Sequence, residues 1–236
     1  MRLDNWLNEG RMDLGMRNRK TVVCASSQGL GKACARAFAE ADISTQEGQA
    51  ALLAACPAPD ILVNNNGGPP FRDFRDLDRQ ALLTGVTMKM VTPIELIQKV
   101  IDAMRTREFG RIVNITSVSV EMPLAGLDLS SGARAGLTAF VAGIARSVAD
   151  KNVTINNMLP ASFDTERLRG GFRASAKHTG ISESVIAQRS QQMIPAKRFG
   201  TPSEFGQTCA FLCSVHAGYI TGQNILLDGG SYPAAF

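Results

Sequence analysis

The sequence predicts an α/β protein built on a parallel sheet. Short, continuously apolar runs recur along its 236 residues, and segments of helical spacing separate them. The composition, 44% hydrophobic and 19% charged, is that of a folded chain long enough to bury a sizeable core. Strands that are apolar on both sides need cover on both faces, and alternation with amphipathic helices supplies it.

The elements follow in order. Residues 1–19 read as a polar N-terminal extension. Thr21–Ala25 is an apolar strand, followed by Ser-Ser-Gln-Gly-Leu-Gly and a helix whose apolar positions are Ala33, Cys34, Ala37, Phe38 and Ala41. Gln46–Cys56 is a helix and Ile61–Val63 a short buried strand. Pro93–Arg105 carries Ile94, Ile97, Ile101 and Met104 on one helical face, and Ile112–Thr116 is the next strand. Ala133–Ala149 is a long helix through Leu137, Phe140, Val141, Ile144 and Val148. Val153–Met158 is a strand, Ser203–Ser214 a helix and Asn224–Asp228 the last strand. A helix at 182–193 stands outside this alternation, inside a flexible covering insertion at about 163–194.

Composition narrows the function. No apolar run is long enough to cross a bilayer, and the first residues lack the apolar stretch and small-residue site of a secretory signal. A cytoplasmic protein without a membrane partner is expected. The five cysteines (24, 34, 56, 209 and 213) form no CxxC pair, and Cys34, Cys209 and Cys213 fall at apolar helical positions. Buried, reduced thiols are expected, with no metal site. The net charge is +4, and basic residues are scattered, not grouped with aromatics, so no nucleic-acid partner is expected.

The turn after the first strand carries Gly29 and Gly31 at the start of a helix. Such a turn brings backbone close to a pyrophosphate, with unpaired N–H groups and a positive dipole end facing it. A tight strand–helix turn with no ligand has the same appearance. Further motifs lie downstream: Ile61-Leu-Val-Asn-Asn-Asn-Gly67, Gly110-Arg-Ile-Val-Asn-Ile-Thr-Ser117 and Asn156-Asn-Met-Leu-Pro-Ala-Ser-Phe-Asp-Thr165. Arg198-Phe-Gly-Thr-Pro-Ser-Glu204 and Tyr219-Ile-Thr-Gly-Gln223 with Asp228-Gly-Gly230 complete the set.

In this order and spacing, from about Lys20 to Tyr232, the chain resembles the short-chain dehydrogenase/reductase family, nearest its bacterial 3-oxoacyl-(acyl-carrier-protein) reductase-like members. The resemblance implies a doubly wound, three-layer α/β/α sheet of Rossmann type at 20–236. It implies NAD or NADP as cofactor, NADP preferred, a small-molecule or acyl-thioester substrate, and a homo-tetramer or homo-dimer. It assigns Ser26, Ser27, Gln28, Gly29, Leu30 and Gly31 to the pyrophosphate and adenosine ribose, and Asp42 to the adenine. It sets Asn65, Asn66 and Gly67 beside the nicotinamide half, and Pro160, Ala161, Phe163 and Thr165 beside the carboxamide. Asn64 and Asn114 are read as strand-to-strand hydrogen bonders, and Pro202, Glu204 and Asp228 as structural.

The family's chemistry is hydride transfer at the nicotinamide with proton transfer from a tyrosine, which a lysine, a serine and an asparagine assist. Here the tyrosine position falls on Ser130 and the lysine position on Arg134, and the asparagine position on Lys89. The two tyrosines, Tyr219 and Tyr232, both lie near the C-terminus, and only Ser117 keeps the family's identity. Arg134 can grip a ribose hydroxyl but not shuttle a proton. Lys89, desolvated in a cleft, would be a stand-in donor, and the alternative is a surface lysine on a helix. Ala25 and Ala161 stand where glycine is usual, a change tolerable only where φ is negative.

The chain also lacks the family's second strand, second helix and third strand, since Asp42-Ile-Ser-Thr follows the first helix at once. A βαβ unit takes roughly 30 residues. Either the chain is shortened, or a segment between Ala41 and Asp42 is missing from the sequence. The apolar Thr21–Ala25, unsuited to a bare edge, favours the second reading. The expected activity is NAD(P)-dependent reduction of a carbonyl or oxidation of a secondary alcohol, with a 3-oxoacyl thioester as one substrate. Ser117 would orient the substrate oxygen, Arg134 would hold the ribose, and Ser130, Lys89 or a water would relay the proton. Arg167, Arg169 and Arg173 read as a solvated face, with phosphopantetheine or an acidic carrier protein as the alternative contact. A cofactor-binding pseudoenzyme is the alternative for the whole chain.

Overall fold

The computed structural model describes residues 13–24, 43–67 and 72–234. Its strands are β1 (Thr21–Val23), β2 (Ile61–Asn64), β3 (Gly110–Ile115), β4 (Val153–Pro160) and β5 (Asn224–Leu227), joined in that spatial order. Every neighbouring pair is parallel; Val22 faces Leu62, Leu62 faces Ile112 and Ile112 faces Ile155.

The pleat divides the core in two. Val22, Leu62, Ile112 and Ile155 pack on one face against α3 (Thr92–Thr106) and α4 (Asp128–Val148), through Leu96, Val100, Leu137 and Val141. Val23, Val63, Val113, Ile115 and Met158 pack on the other against α7 (Pro202–Cys213), through Phe205, Cys209 and Leu212. Each such side chain contributes about 1.5–3 kcal/mol by leaving water. This is the expected parallel sheet with helices on both faces; among the described residues its strand order runs sequentially, without the reversal of a doubly wound sheet.

Between β1 and β2 lies α1 (Gln46–Ala55), capped by the Thr45 side chain, which accepts from Gly48 N at 3.0 Å. Among the described residues no strand pairs with the free edge of β1. The Ala33–Ala41 helix, the Ala41–Asp42 junction and Ala25 lie outside the described residues, as do Ser26, Ser27, Gln28, Gly29, Leu30, Gly31, Cys34 and Asp42.

Three segments depart from expectation. Helix α2 (Arg79–Val86), capped by Asp78 and not among the elements expected from the sequence, runs through a π-turn at Thr87–Val91 into α3. Pro93 explains the wide turn: it lacks the N–H that an α-helix would aim at the Lys89 carbonyl. The supposed flexible insertion is two helices, α5 (Glu166–Thr179) and α6 (Glu183–Met193). Helix α5 buries no residue, which hid it from a search for apolar periodicity, but Thr165 caps its start and Gly180, at φ 72°, ends it. Residues 13–20 are docked onto the sheet domain: Val215 N donates to Leu14 O, and the Arg19 guanidinium lies 3.7 Å above the Phe109 ring.

The structural assignments agree with the contacts. Asn64 donates to Asn114 at 2.9 Å, Asn114 to Asn157 at 3.0 Å, and Asn157 to Asn224 at 2.8 Å, an amide ladder across four strands. Glu204 closes a capping box with Thr201 at Pro202 and takes both terminal nitrogens of Arg198. Asp228 accepts from Gly230 N and Tyr232 N. Cys24, Cys209 and Cys213 are buried and Cys56 half-buried, and none of the four is in a disulfide.

Candidate active site

The C-terminal ends of β2 and β3 open onto a small cavity, the position where parallel α/β sheets present ligand sites. Its walls are Asn64, Asn66, Met88, Lys89, Pro93, Asn114, Ile115, Thr116, Arg134 and Leu137. Four segments therefore meet: the strand end after β2, the π-turn with the start of α3, the end of β3 and the first half of α4.

Lys89 is 4% exposed, so it is not a surface lysine. The π-turn turns its side chain inward, where Nζ donates to the Asn66 carbonyl at 2.5 Å and to the Gly67 carbonyl. Asn66 Nδ2 in turn donates to the Met88 carbonyl, which ties strand end to turn. Burial, then the positive charges of Arg134 and Arg167, pull the Lys89 ammonium down from 10.5 to about 6.

Arg134 sits one helical turn after Ser130. Its Nε donates to Ser130 Oγ at 3.2 Å, and its Nη1 donates to the Ile115 carbonyl at 2.9 Å and to the Thr116 carbonyl. Burial, then Arg167, lowers it to about 10, which leaves it protonated near neutral pH. Ser130 is buried, and its hydroxyl is an acceptor that anchors Arg134. Ser117 follows Thr116 at the end of β3; its Oγ accepts from Ser119 N at 3.1 Å, which caps the short 3-10 turn at 118–120.

The remaining expected positions divide. Asn65 closes β2 from the backbone side, its N–H hydrogen-bonding the Cys24 thiol, which burial pushes up to about 12. Pro160 ends β4 beside Leu227, and Ala161 N donates to the Leu227 carbonyl. Ala161 is not among the residues with positive φ, so its methyl group brings no backbone strain. Phe163 is directed into the core, not toward a ligand: it meets Phe205 edge-on at 5.3 Å and fills the space a Cβ at Gly200 would need. Thr165 Oγ1 accepts from Leu168 N at 3.4 Å as a helix cap. Arg169 and Arg173 pair with Asp164 and Glu166, which fits a solvated face.

The donor set suits a nicotinamide ribose. Arg134 Nη2 has no partner among the described residues, and Asn66 Oδ1 is a buried acceptor without one. A vicinal diol donates and accepts, so it meets both needs. A Cβ built at Gly67 finds nothing within 4 Å, so there is room beside the strand end. Among the described residues no group of His, Cys, Asp and Glu could hold a metal ion, and no helix is long and apolar enough to cross a membrane. Sequence reading missed Asn157, Asn224 and the Met88 carbonyl; asparagines recurring in the successive strands were the signal for the first two.

Comparison with known proteins places the chain in a family. The family model described as enoyl-(acyl carrier protein) reductase matches residues 27–232. The NADPH-dependent reductase BacG of Bacillus subtilis is 31% identical over 194 residues, 80% of this chain and 75% of that protein. The acetoacetyl-CoA reductase of Cupriavidus necator is 33% identical over 171 residues, 72% of this chain and 65% of that protein. The structure of YwfH, an NADPH-dependent reductase involved in bacilysin biosynthesis, superposes with a TM-score of 0.84 at 27% identity, covering 92% of this chain and 99% of that one. L-sorbose reductase from Gluconobacter frateurii gives 0.87 at 23% identity, covering 94% and 100%, and speaks for the fold alone. With the motifs in register and the sheet built on them, the chain belongs to the short-chain dehydrogenase/reductase family of oxidoreductases.

Proposed function

We propose that the protein is an NADPH-dependent reductase of carbonyl compounds, running in reverse on secondary alcohols, in which Lys89 replaces the family's tyrosine as proton donor. The observation that carries this reading is the Lys89 ammonium, buried in the cavity with its proton affinity near neutrality. General acids work best when their pKa lies near the working pH.

When bound, a reduced nicotinamide supplies a hydride to the substrate carbonyl carbon. Arg134 Nη2 and Asn66 Oδ1 hold the ribose, and the pyrophosphate is assigned to Ser26–Gly31, outside the described residues. Ser117 orients the carbonyl oxygen, Ser130 fixes Arg134, and the Gly67 and Asn66 carbonyls aim Lys89. As the π pair moves onto oxygen, that oxygen takes a proton from Lys89, which is left as the amine. The names of the relatives support NADPH over NADH and a 3-oxoacyl thioester as one substrate; they give no support to a pseudoenzyme.

Assembly into a homo-dimer or homo-tetramer is part of the proposal. Leu82, Leu83 and Val86 on α2 and Phe140 on α4 are exposed, and α2 packs so closely on α4 that a Cβ at Gly85 would meet Leu129 at 2.6 Å. Light scattering should then give two or four times 25.2 kDa. The central test is NADPH binding by fluorescence together with NADPH oxidation across carbonyl substrates, for the wild type and Lys89→Met. The variant should bind NADPH and lose turnover by at least about a hundredfold. Full turnover by the variant defeats the assignment of Lys89, and NADPH binding with no turnover in either protein would restore the pseudoenzyme.

A further inference from the structure

The cavity at the ends of β2 and β3 is electrostatically one-sided. Lys89 and Arg134 both line it, and none of its lining residues among the described ones is an aspartate or glutamate. The charged groups that act on Lys89 are Arg134 from α4 and Arg167 from α5, both positive. Its hydrogen-bond partners are the neutral carbonyls of Asn66 and Gly67, and those of Arg134 are two carbonyls and the Ser130 hydroxyl. Buried cations are ordinarily paired with anions, because neutral dipoles replace only part of the lost hydration. Here the protein's described residues supply no such partner.

We propose that the substrate brings the missing charge: the enzyme acts on 2-oxo or 3-oxo acids whose carboxylate lies between Arg134 and Lys89. This rests on the reading of Lys89 as proton donor. A carboxylate offers two acceptor oxygens in one plane, which suits a guanidinium edge beside an ammonium. Arg134 Nη2 carries two N–H groups, one for the ribose hydroxyl and one left for a carboxylate oxygen, and protonated Lys89 uses two of its three N–H groups. An adjacent negative charge also favours the charged form of Lys89. The donor is therefore loaded with its proton as the acid binds, and a neutral carbonyl compound meets mainly the amine. Among carbonyl substrates the site thus binds the free oxo acid more tightly, and a thioester or ester with the same carbon skeleton is the weaker substrate.

The test compares 2-oxo and 3-oxo acids of three to six carbons with their methyl esters. Binding to the protein saturated with NADP+ is followed by titration calorimetry at pH 7.5 in two buffers of different ionisation enthalpy. At least one acid should bind about tenfold or more tightly than its ester, as expected for hydrogen bonds to charged groups. That acid should take up close to one proton per site. Lys89→Met should abolish the uptake, and Arg134→Gln, titrated at an NADP+ concentration shown to saturate that variant, should weaken the acid more than the ester. Esters that match their acids, acid binding without proton uptake, or no binding by any acid overturns the proposal. If Lys89→Met still loses turnover of a carbonyl substrate while acids show no preference, the donor assignment stands and only the substrate class falls. A fully active Lys89→Met sinks the donor assignment instead.

Discussion

Replacing Lys89 by methionine should stabilise the protein near neutral pH, and the gain should shrink as pH rises. Lys89 is 4% exposed, and its proton affinity is held at about 6, against 10.5 for an ordinary lysine, by burial first and then by Arg134 and Arg167. Between these two values the unfolded chain holds one more proton than the folded one. Stability therefore rises with pH across that window, by about 1.4 kcal/mol per pH unit. The cost of keeping Lys89 uncharged in the fold is about 5 kcal/mol at pH 7 and falls to about 2 kcal/mol at pH 9. Methionine fills a similar volume without that cost, but it leaves the Asn66 and Gly67 carbonyls without their donor, a loss of about 1–3 kcal/mol. The absolute gain at pH 7 is thus a few kcal/mol, while the narrowing of the gap, about 3 kcal/mol between pH 7 and pH 9, is free of the lost hydrogen bonds. Urea unfolding of both proteins at pH 7, 8 and 9, followed by circular dichroism, measures it. A gap that stays constant with pH would refute the reasoning, because Lys89 would then ionise alike in both states.

Three other substitutions probe the rest of the site and its support. Ser130→Ala removes the acceptor of Arg134 Nε and should weaken NADPH binding about fivefold, the value of one hydrogen bond, with kcat little changed. A fall in kcat of a hundredfold with normal NADPH binding would instead put the serine in the chemistry. Asn114→Leu leaves Asn64 Nδ2 and Asn157 Oδ1 without partners inside the sheet and should cost about 2–4 kcal/mol by urea unfolding. A loss below about 0.5 kcal/mol would mean that the ladder adds nothing to stability. Gly200→Ala places a methyl group 2.6 Å from the Phe163 ring and should cost about 1–3 kcal/mol, recovered in part when Phe163→Leu is added. A melting temperature equal to wild type would show that the ring moves away freely.

The amino-acid sequence by itself determined the layered sheet, because apolar strands and amphipathic helices announce themselves through residues close together in the chain. It also showed that the two tyrosines, Tyr219 and Tyr232, both lie near the C-terminus, and the family's spacing pointed to Ser130, Arg134 and Lys89 as the altered positions. Helix α5 escaped that reading because it buries none of its residues and so leaves no apolar stripe; its caps, Thr165 and Gly180, were the available sign. Phe163 was placed beside a ligand from motif position alone, while the direction of its ring depends on Phe205 and Gly200, some 40 positions away. Only the tertiary structure decided what Lys89 is. Whether an ammonium is charged depends on lost water and on neighbouring charges, and those come from the strand end at Asn66, from Arg134 on α4 and from Arg167 on α5. Sequence spacing carries no measure of that desolvation, because it arises where separate segments meet.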